Sequence, residues 1–243
     1  MIHTNKPVNH RKITLLALML MSLLLMNGCS AKKGMLAHEI QQDRFTTQES
    51  TLIMQHGGDI PLDVITTAHA EQADILHQEA KSIATNDPAL PALLSRMYAS
   101  MMAEDGVGIA ANQVGIARRV IWVKRLDIEP DKPNRFYLNP YILSYSQGTE
   151  TEWEGCLSVP EGFGKVKRPV SIVLIYTDEH GEEVQEDVHG FTARIFQHEI
   201  DHLDGILFTE RMQETDELMS KEAYRDMRKE DAATKAEKEA EAE

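Results

Sequence analysis

The stretch Gln197-His198-Glu199-Ile200-Asp201-His202 holds two imidazoles four positions apart with a carboxylate beside the first. On an α-helix four residues advance the chain a little over one turn, so His198 and His202 project from the same face and can grip one metal ion. Glu199 can then reach a water on that ion without becoming a ligand itself. A catalytic tetrahedral site takes three protein ligands and keeps a fourth position open, so a third donor has to come from elsewhere in the chain. Cys156, in Glu154-Gly155-Cys156-Leu157-Ser158, is the only interior cysteine. Taken alone it reads more readily as an inert buried thiol, the commoner fate of a free cysteine. A third stretch, Gly106-Val107-Gly108-Ile109-Ala110-Ala111-Asn112-Gln113, is by itself an ordinary glycine turn, although a backbone without Cβ can also approach an extended peptide closely.

These residues need elements to position them. A helix is expected from about Phe191 to Leu203, with Phe191 and Ile195 on the histidine face, which puts the metal on the interior side. Leu90, Leu93, Leu94, Met97 and Met101 recur at helical spacing over Pro88 to Met102, after a cap at Asn86 or Asp87. The methionines of that helix read as core filler. Strand signals lie at Val120 to Val123, Phe136 to Leu138 and Val170 to Tyr176. Asp178-Glu179-His180-Gly181 marks a hairpin turn into Glu183 to Val188. Mixed strands with few helices and no regular βαβ alternation indicate an α+β fold, with small mixed or antiparallel sheets around the histidine helix.

Composition bounds the rest. The chain has 243 residues, 25 Lys and Arg against 39 Asp and Glu, and a formal charge of −14. That excess of acid excludes a sequence-neutral nucleic-acid binder, which needs a basic face for phosphates. With 42% hydrophobic residues the chain is not globally disordered, and two cysteines cannot make a disulfide framework. Residues 60–212 read as one compact domain without an internal repeat. Residues 30–59 are polar, lack a sustained period and read as a tether. Residues 213–243 carry eleven acids against six bases and read as a solvated helix fraying into an acidic end.

Residues 1–29 look like a targeting segment. Lys6, Arg11 and Lys12 precede the apolar run Ile13 to Met26, which has the length of a signal-peptide core and is short for a membrane span. Met26-Asn27-Gly28-Cys29-Ser30 then resembles a bacterial lipobox, with Cys29 as the lipidated residue, although Asn27 stands where a small residue is commoner. The expected location is therefore a membrane anchor facing the periplasm or cell exterior. An internal start at Met35 or Met54 would instead leave the protein in the cytoplasm.

Taken together, the three motifs resemble those of the peptide deformylase family, and in its order: Gly106 to Gln113, then Glu154 to Ser158, then Gln197 to Leu203 followed by Gly205, Leu207 and Phe208. Asp74-Ile75-Leu76-His77 resembles the family's early D-P-x-L-R element with two substitutions. The resemblance covers about residues 60–212. It implies that Cys156, His198 and His202 bind one divalent ion, Fe²⁺ before Zn²⁺, Ni²⁺ or Co²⁺. It implies that Glu199 is general base and then general acid, and that the Gln113 amide and the Leu157 N–H stabilise the tetrahedral oxyanion. The peptide is expected against Gly106, Val107, Gly108, Glu154, Gly155, Phe163 and Arg194. Many relatives carry a peptide-holding arginine shortly after the cysteine motif, where this chain has Glu161-Gly162-Phe163-Gly164. Arg168 looks like the family's later basic residue, and reads equally as a loop cation.

The implied reaction is hydrolysis of the formyl group from formyl-methionyl peptides, releasing formate. Two other classes stay open on the residues alone. A general H-E-x-x-H metalloprotease is disfavoured because such enzymes usually take a third His or Glu. A membrane-anchored peptide-binding module has no chemical need for the complete set Cys156, His198, Glu199 and His202. The implied partners are an N-formyl peptide and, through Cys29, a membrane. The oligomeric state is not legible.

Overall fold

The computed structural model describes residues 44–241, apart from residues 56, 58, 69, 126 and 129–133. The targeting segment with Cys29, and the first part of the expected tether, lie outside the described residues. The helices are α1 (Thr47–Met54), α2 (Ala70–Ala73), α3 (Leu90–Ala103), α4 (Gly190–Leu203) and α5 (Lys221–Glu241). The strands are β1 (Gly108–Ala110), β2 (Val120–Lys124), β3 (Asn134–Tyr145), β4 (Thr149–Cys156), β5 (Val159–Pro169), β6 (Ser171–Thr177) and β7 (Glu183–His189). Five of them form an antiparallel sheet in the order β1-β2-β3-β6-β7, and β4 pairs with β5 in a separate hairpin. The fold is α+β, as the strand pattern implies. Among the described residues no helix is long and apolar enough to cross a membrane.

The larger sheet is covered on both faces at β2, where Val120, Ile121 and Val123 are all buried, which is why that strand reads as an apolar run. Successive side chains alternate. Ile121 and Val123, with Tyr137 of β3, pack against Ala193, Phe196, Ile200 and Leu203 of α4. Val120 and Trp122 face the opposite layer with Leu93, Met97 and Met101 of α3, where the indole N–H donates to the Leu94 carbonyl at 3.0 Å. Phe196 meets Tyr137 edge to face at 4.7 Å between centroids. Each large apolar side chain buried in this way contributes roughly 1.5–3 kcal/mol, so one stripe of α4 fixes its rotation about its own axis. The opposite stripe, bearing both histidines, is thereby aimed at the β4–β5 hairpin. Phe191 keeps to the histidine face but is not interior: it is 60% exposed in the first turn of α4, whereas Ile195 is buried.

Three elements differ from the sequence reading for identifiable reasons. β3 runs to Tyr145 although Asn139-Pro140 looks like a breaker. Register shifts between Leu138 and Tyr141 and between Ile142 and Ser144 absorb the missing proline N–H, and Asn139 takes φ 50°. The β4–β5 hairpin is hidden because the inward residues of β5 are Gly162, Gly164, Val166 and Arg168, an alternation that hydropathy does not register. Residues 44–54, expected within a tether, belong to the folded body. Thr46 and Glu49 form a capping box at the start of α1, Phe45 and Ile53 join the core of α3, and the buried Arg96 guanidinium donates to the Leu52, Ile53 and Gln55 carbonyls at the other end. α3 starts without a side-chain cap, its N-cap being Ala89 and not the expected Asn86 or Asp87; the Asp87 carboxylate instead accepts from the Ala89 and Phe45 N–H groups just before the helix.

Candidate metal centre

Two helix ends and one tight turn build the centre. α3 stops in a Schellman motif: the Gly106 N–H donates to the Met101 carbonyl and the Asp105 N–H to the Met102 carbonyl, with Asp105 at φ 51°. This turn feeds Gly106-Val107-Gly108 along the cleft and into β1. α4 ends the same way, the Ile206 N–H donating to the Asp201 carbonyl and the Gly205 N–H to the His202 carbonyl, just after the second histidine. The two-residue turn Leu157-Ser158 joins β4 to β5 and leaves Cys156, paired with Val159, at the strand end facing α4.

Cys156, His198 and His202 converge so that one donor atom from each lies within 4.8 Å of the others. The Cys156 Sγ is 3.1 Å from His202 Nε2, and the imidazole centroids are 5.0 Å apart. A sulfur and a nitrogen ligating one tetrahedral Zn²⁺-sized ion stand about 3.5 Å apart, so the cluster has the donor set and close to the spacing that such an ion requires. The electrostatics agree. His198 Nδ1 bonds the Glu154 carboxylate at 3.0 Å, which leaves Nε2 for the ion. Burial works against charge on His198, but the Cys156 sulfur and the Glu154 carboxylate outweigh it and raise its pKa well above the ordinary value. His202 is pushed the other way by burial and by the neighbouring His198. The sulfur and the Glu154 carboxylate thus favour positive charge at His198 alone of the two imidazoles.

Glu199 is buried against this cluster, and its Oε2 has no hydrogen-bond partner among the described residues. Burial, which outweighs the attraction of His198, lifts its pKa to about 7. Gly108 makes room for it, because a Cβ there would collide with the Glu199 carboxylate. Gln113 sits beside the sulfur: its Oε1 accepts from the Ala110 N–H at 2.9 Å, and its Nε2 donates to Ser158 Oγ at 3.1 Å and lies 3.5 Å from Cys156 Sγ.

A cleft of about 420 Å³ opens onto these groups. Gly106, Val107, Gly108, Glu154, Gly155, Phe163 and Arg194 all line it, together with Gln113, Leu157, Cys156, His198 and Glu199, while His202 lies behind at 1% exposure. Arg194 borders the cleft with its guanidinium committed inward, to Glu154 Oε1 and the carbonyls of Val166 and Glu150. Arg168 is no loop cation: it is buried on β5 and bridges Glu154 to Asp201. Asp201 in turn accepts from Arg211. Glu154 therefore takes four donors. Burial would raise its pKa, but the His198 and Arg168 hydrogen bonds overcome this and hold it well below the carboxylate range. The sequence reading missed this ladder, Glu154-Arg168-Asp201-Arg211, because its members are dispersed over four elements. It also missed Trp153, Phe191, Lys221 and Tyr224 in the cleft wall.

The sequence profile described as Polypeptide deformylase matches residues 63–217, more than half of the chain. The chain belongs to the polypeptide deformylase family. The peptide deformylase of Phenylobacterium zucineum (strain HLK1) is 40% identical over 137 residues, 56% of this chain and 81% of that protein. That of Pelodictyon phaeoclathratiforme is 44% identical over 149 residues, 59% and 77% respectively. Among solved structures, a class I type b peptide deformylase from Acinetobacter baumannii bound to Met-Ala-Ser is 39% identical with a TM-score of 0.57, covering 63% of this chain and 99% of that one. The same enzyme with actinonin is also 39% identical, with a TM-score of 0.56 and the same coverages. The chain is thus an enzyme of N-terminal deformylation, and neither general proteolysis nor binding without turnover is favoured. Deformylases are metalloenzymes, and the Cys156, His198 and His202 cluster fits that requirement.

Proposed function

We propose that the chain releases formate from formyl-methionyl peptides with Glu199 as its proton carrier and Cys156, His198 and His202 as the ligands of one divalent ion, Fe²⁺ before Zn²⁺ or Ni²⁺. The observation that carries this reading is the convergence of three ligand donors within 4.8 Å, beside a buried carboxylate, at the floor of an open cleft. Held there, the ion supplies a Lewis acid that makes water nucleophilic near neutral pH. Glu199 takes the proton of the attacking water and passes it to the departing amine, a task suited to a buried carboxylate with an unpartnered oxygen. The Gln113 amide and the Leu157 N–H stabilise the oxygen of the formyl group as it gains charge. Gly106 to Gly108 on one side, and Gly155 and Phe163 on the other, line the space in which the peptide lies.

The full chain, loaded anaerobically with Fe²⁺ or Ni²⁺, releases formate from formyl-Met-Ala-Ser on this reading. Glu199→Ala abolishes release and keeps the metal; loss of the metal would mean that its role is misassigned, and internal peptide cleavage would point to a protease. The segment before residue 30 supports a second part of the proposal, that Cys29 carries a lipid and holds the enzyme on a membrane facing the periplasm or cell exterior, where it acts on formylated peptides outside the cytoplasm. Labelled palmitate enters the native chain and not Cys29→Ala if this holds; an unlabelled chain in the soluble fraction refutes it.

A further inference from the structure

The acidic C-terminal segment returns to the mouth of the cleft. Before α5 begins, Met219 pairs with Phe163 through the main chain in both directions, N–H to carbonyl at 2.9 and 2.8 Å, and so extends the β4–β5 hairpin by one bridge. The approach is close enough that a Cβ at Gly162 would collide with the Met219 carbonyl, so β5 is built to receive this segment. In the first turn of α5, Tyr224 then lays its ring on Phe163, 3.9 Å between centroids and 15° from parallel, and meets Trp153 edge-on at 5.8 Å. Tyr224 and Lys221 line the same cleft as Cys156, His198 and Glu199. A second cavity of about 450 Å³ shares Trp153, Phe191, Arg194 and Tyr224 with the first, so Tyr224 stands where the two meet.

We propose that Tyr224, fixed on Phe163 by the Met219 bridge, is a specificity-determining residue of the peptide site, contacting the substrate beyond its formylated residue and favouring apolar or aromatic side chains there. The reasoning is physical. A stacked aromatic pair is rigid and costs little entropy when a ligand settles on it, and its flat apolar surface rewards a side chain that covers it. Cys156 ends β4, whereas Tyr224 enters the cleft wall from the first turn of α5, at the stretch shared with the second cavity. On this proposal a longer peptide has residues that settle on Tyr224, at the wall shared with the second cavity, whereas a single formylated residue has none.

The proposal rests on the deformylase reading, and the test separates the two. Formate release by the metal-loaded full chain would be measured with formyl-Met amide, formyl-Met-Ser-Ser and formyl-Met-Leu-Phe. In the wild type kcat/KM is highest for formyl-Met-Leu-Phe. Tyr224→Ala lowers the ratio of kcat/KM for formyl-Met-Leu-Phe to that for formyl-Met amide by about two- to tenfold, the range expected for loss of one aromatic contact. The change lies in KM, and Tyr224→Phe restores the ratio. A ratio unchanged in Tyr224→Ala, or a wild type without preference among the three, overturns this proposal while the deformylase reading stands. No formate from any substrate overturns both.

Discussion

Glu154→Gln tests whether the carboxylate behind His198 is a working part of the centre. The native carboxylate accepts from Arg168 Nε at 2.6 Å, Arg168 Nη2 at 2.9 Å, Arg194 Nη1 at 2.6 Å and His198 Nδ1 at 3.0 Å, with its side chain 4% exposed. Glutamine keeps the shape but offers one carbonyl oxygen, so about half of these donors face an NH₂ group instead. Breaking a buried charge pair from one side costs about 3–5 kcal/mol. Arg168 retains Asp201, and Arg194 retains the Val166 and Glu150 carbonyls, so the low end, about 3 kcal/mol, is the expected loss on urea unfolding of the metal-free chain. Because His198 also loses the acceptor that fixes its ring and raises its basicity, affinity for Zn²⁺ measured against a chromophoric chelator falls about ten- to a hundredfold. Glu154 is held below its unfolded value, so its own contribution is complete above about pH 4.5 and disappears only as pH falls through the lower folded value; the part that comes from holding His198 protonated is complete below about pH 6.5 and declines as pH rises through the raised His198 value. A variant within about 1 kcal/mol of wild type, with unchanged zinc affinity, would refute the argument, since that is the size of a surface pair.

Gly108→Ala directs a methyl group at the Glu199 carboxylate and leaves the metal ligands untouched. It is expected to reduce kcat for formate release at least about tenfold, the effect of a displaced catalytic group, with one metal still bound per chain by elemental analysis. Glu49→Gln keeps the acceptor for the Thr46 N–H but removes the charge that faces Arg118 at 2.9 Å. The Glu49 pKa is lowered: burial opposes the shift, and the hydrogen bonds from Arg118 and Thr46 prevail. The stability it adds, about 1 kcal/mol for a partly exposed pair, is therefore present above about pH 4.5 and lost as pH falls below it. Thermal unfolding of both proteins at pH 7 and pH 3 checks this, and equal midpoints at pH 7 would show that α1 is not anchored as described.

What the sequence reveals depends on whether the relevant physics is local. His198, Glu199 and His202 are legible because a helix turns spacing directly into a shared face, and the apolar stripe Ala193, Phe196, Ile200 and Leu203 states which side must be buried. Cys156 is not legible in that way. Its place beside His202 follows from pairing of β4 with β5 and packing of that hairpin against α4, and only the joint presence of three motifs points to it. Residues 44–54 misled because a polar amphipathic turn with two glycines nearby resembles a linker, while the groups that hold it, Arg96 and Arg118, stand far along the chain. The acidic tail misled for the same reason. Its composition describes most of α5, which is solvated, but says nothing of the few residues, Met219 and Tyr224, that make contact.

The ladder Glu154-Arg168-Asp201-Arg211 explains how a donor on a strand and two on a helix are kept in register. Glu154 lies two residues before Cys156 on β4, and Asp201 lies one residue before His202 on α4. Arg168 of β5 clamps both, at 2.6 Å to Glu154 Oε1 and 2.7 Å to Asp201 Oδ2. A relative shift of the hairpin and the helix that would separate the sulfur from the imidazoles must first break these buried ion pairs. Apolar packing alone would resist such a shift less sharply, because hydrophobic contact is non-directional, whereas charge-assisted hydrogen bonds depend on angle as well as distance. The alternation of charge also lets the protein bury these groups beside the centre without leaving a net charge to compete with the ion. The residues that hold the three donors of the cluster together are therefore, in large part, residues outside it.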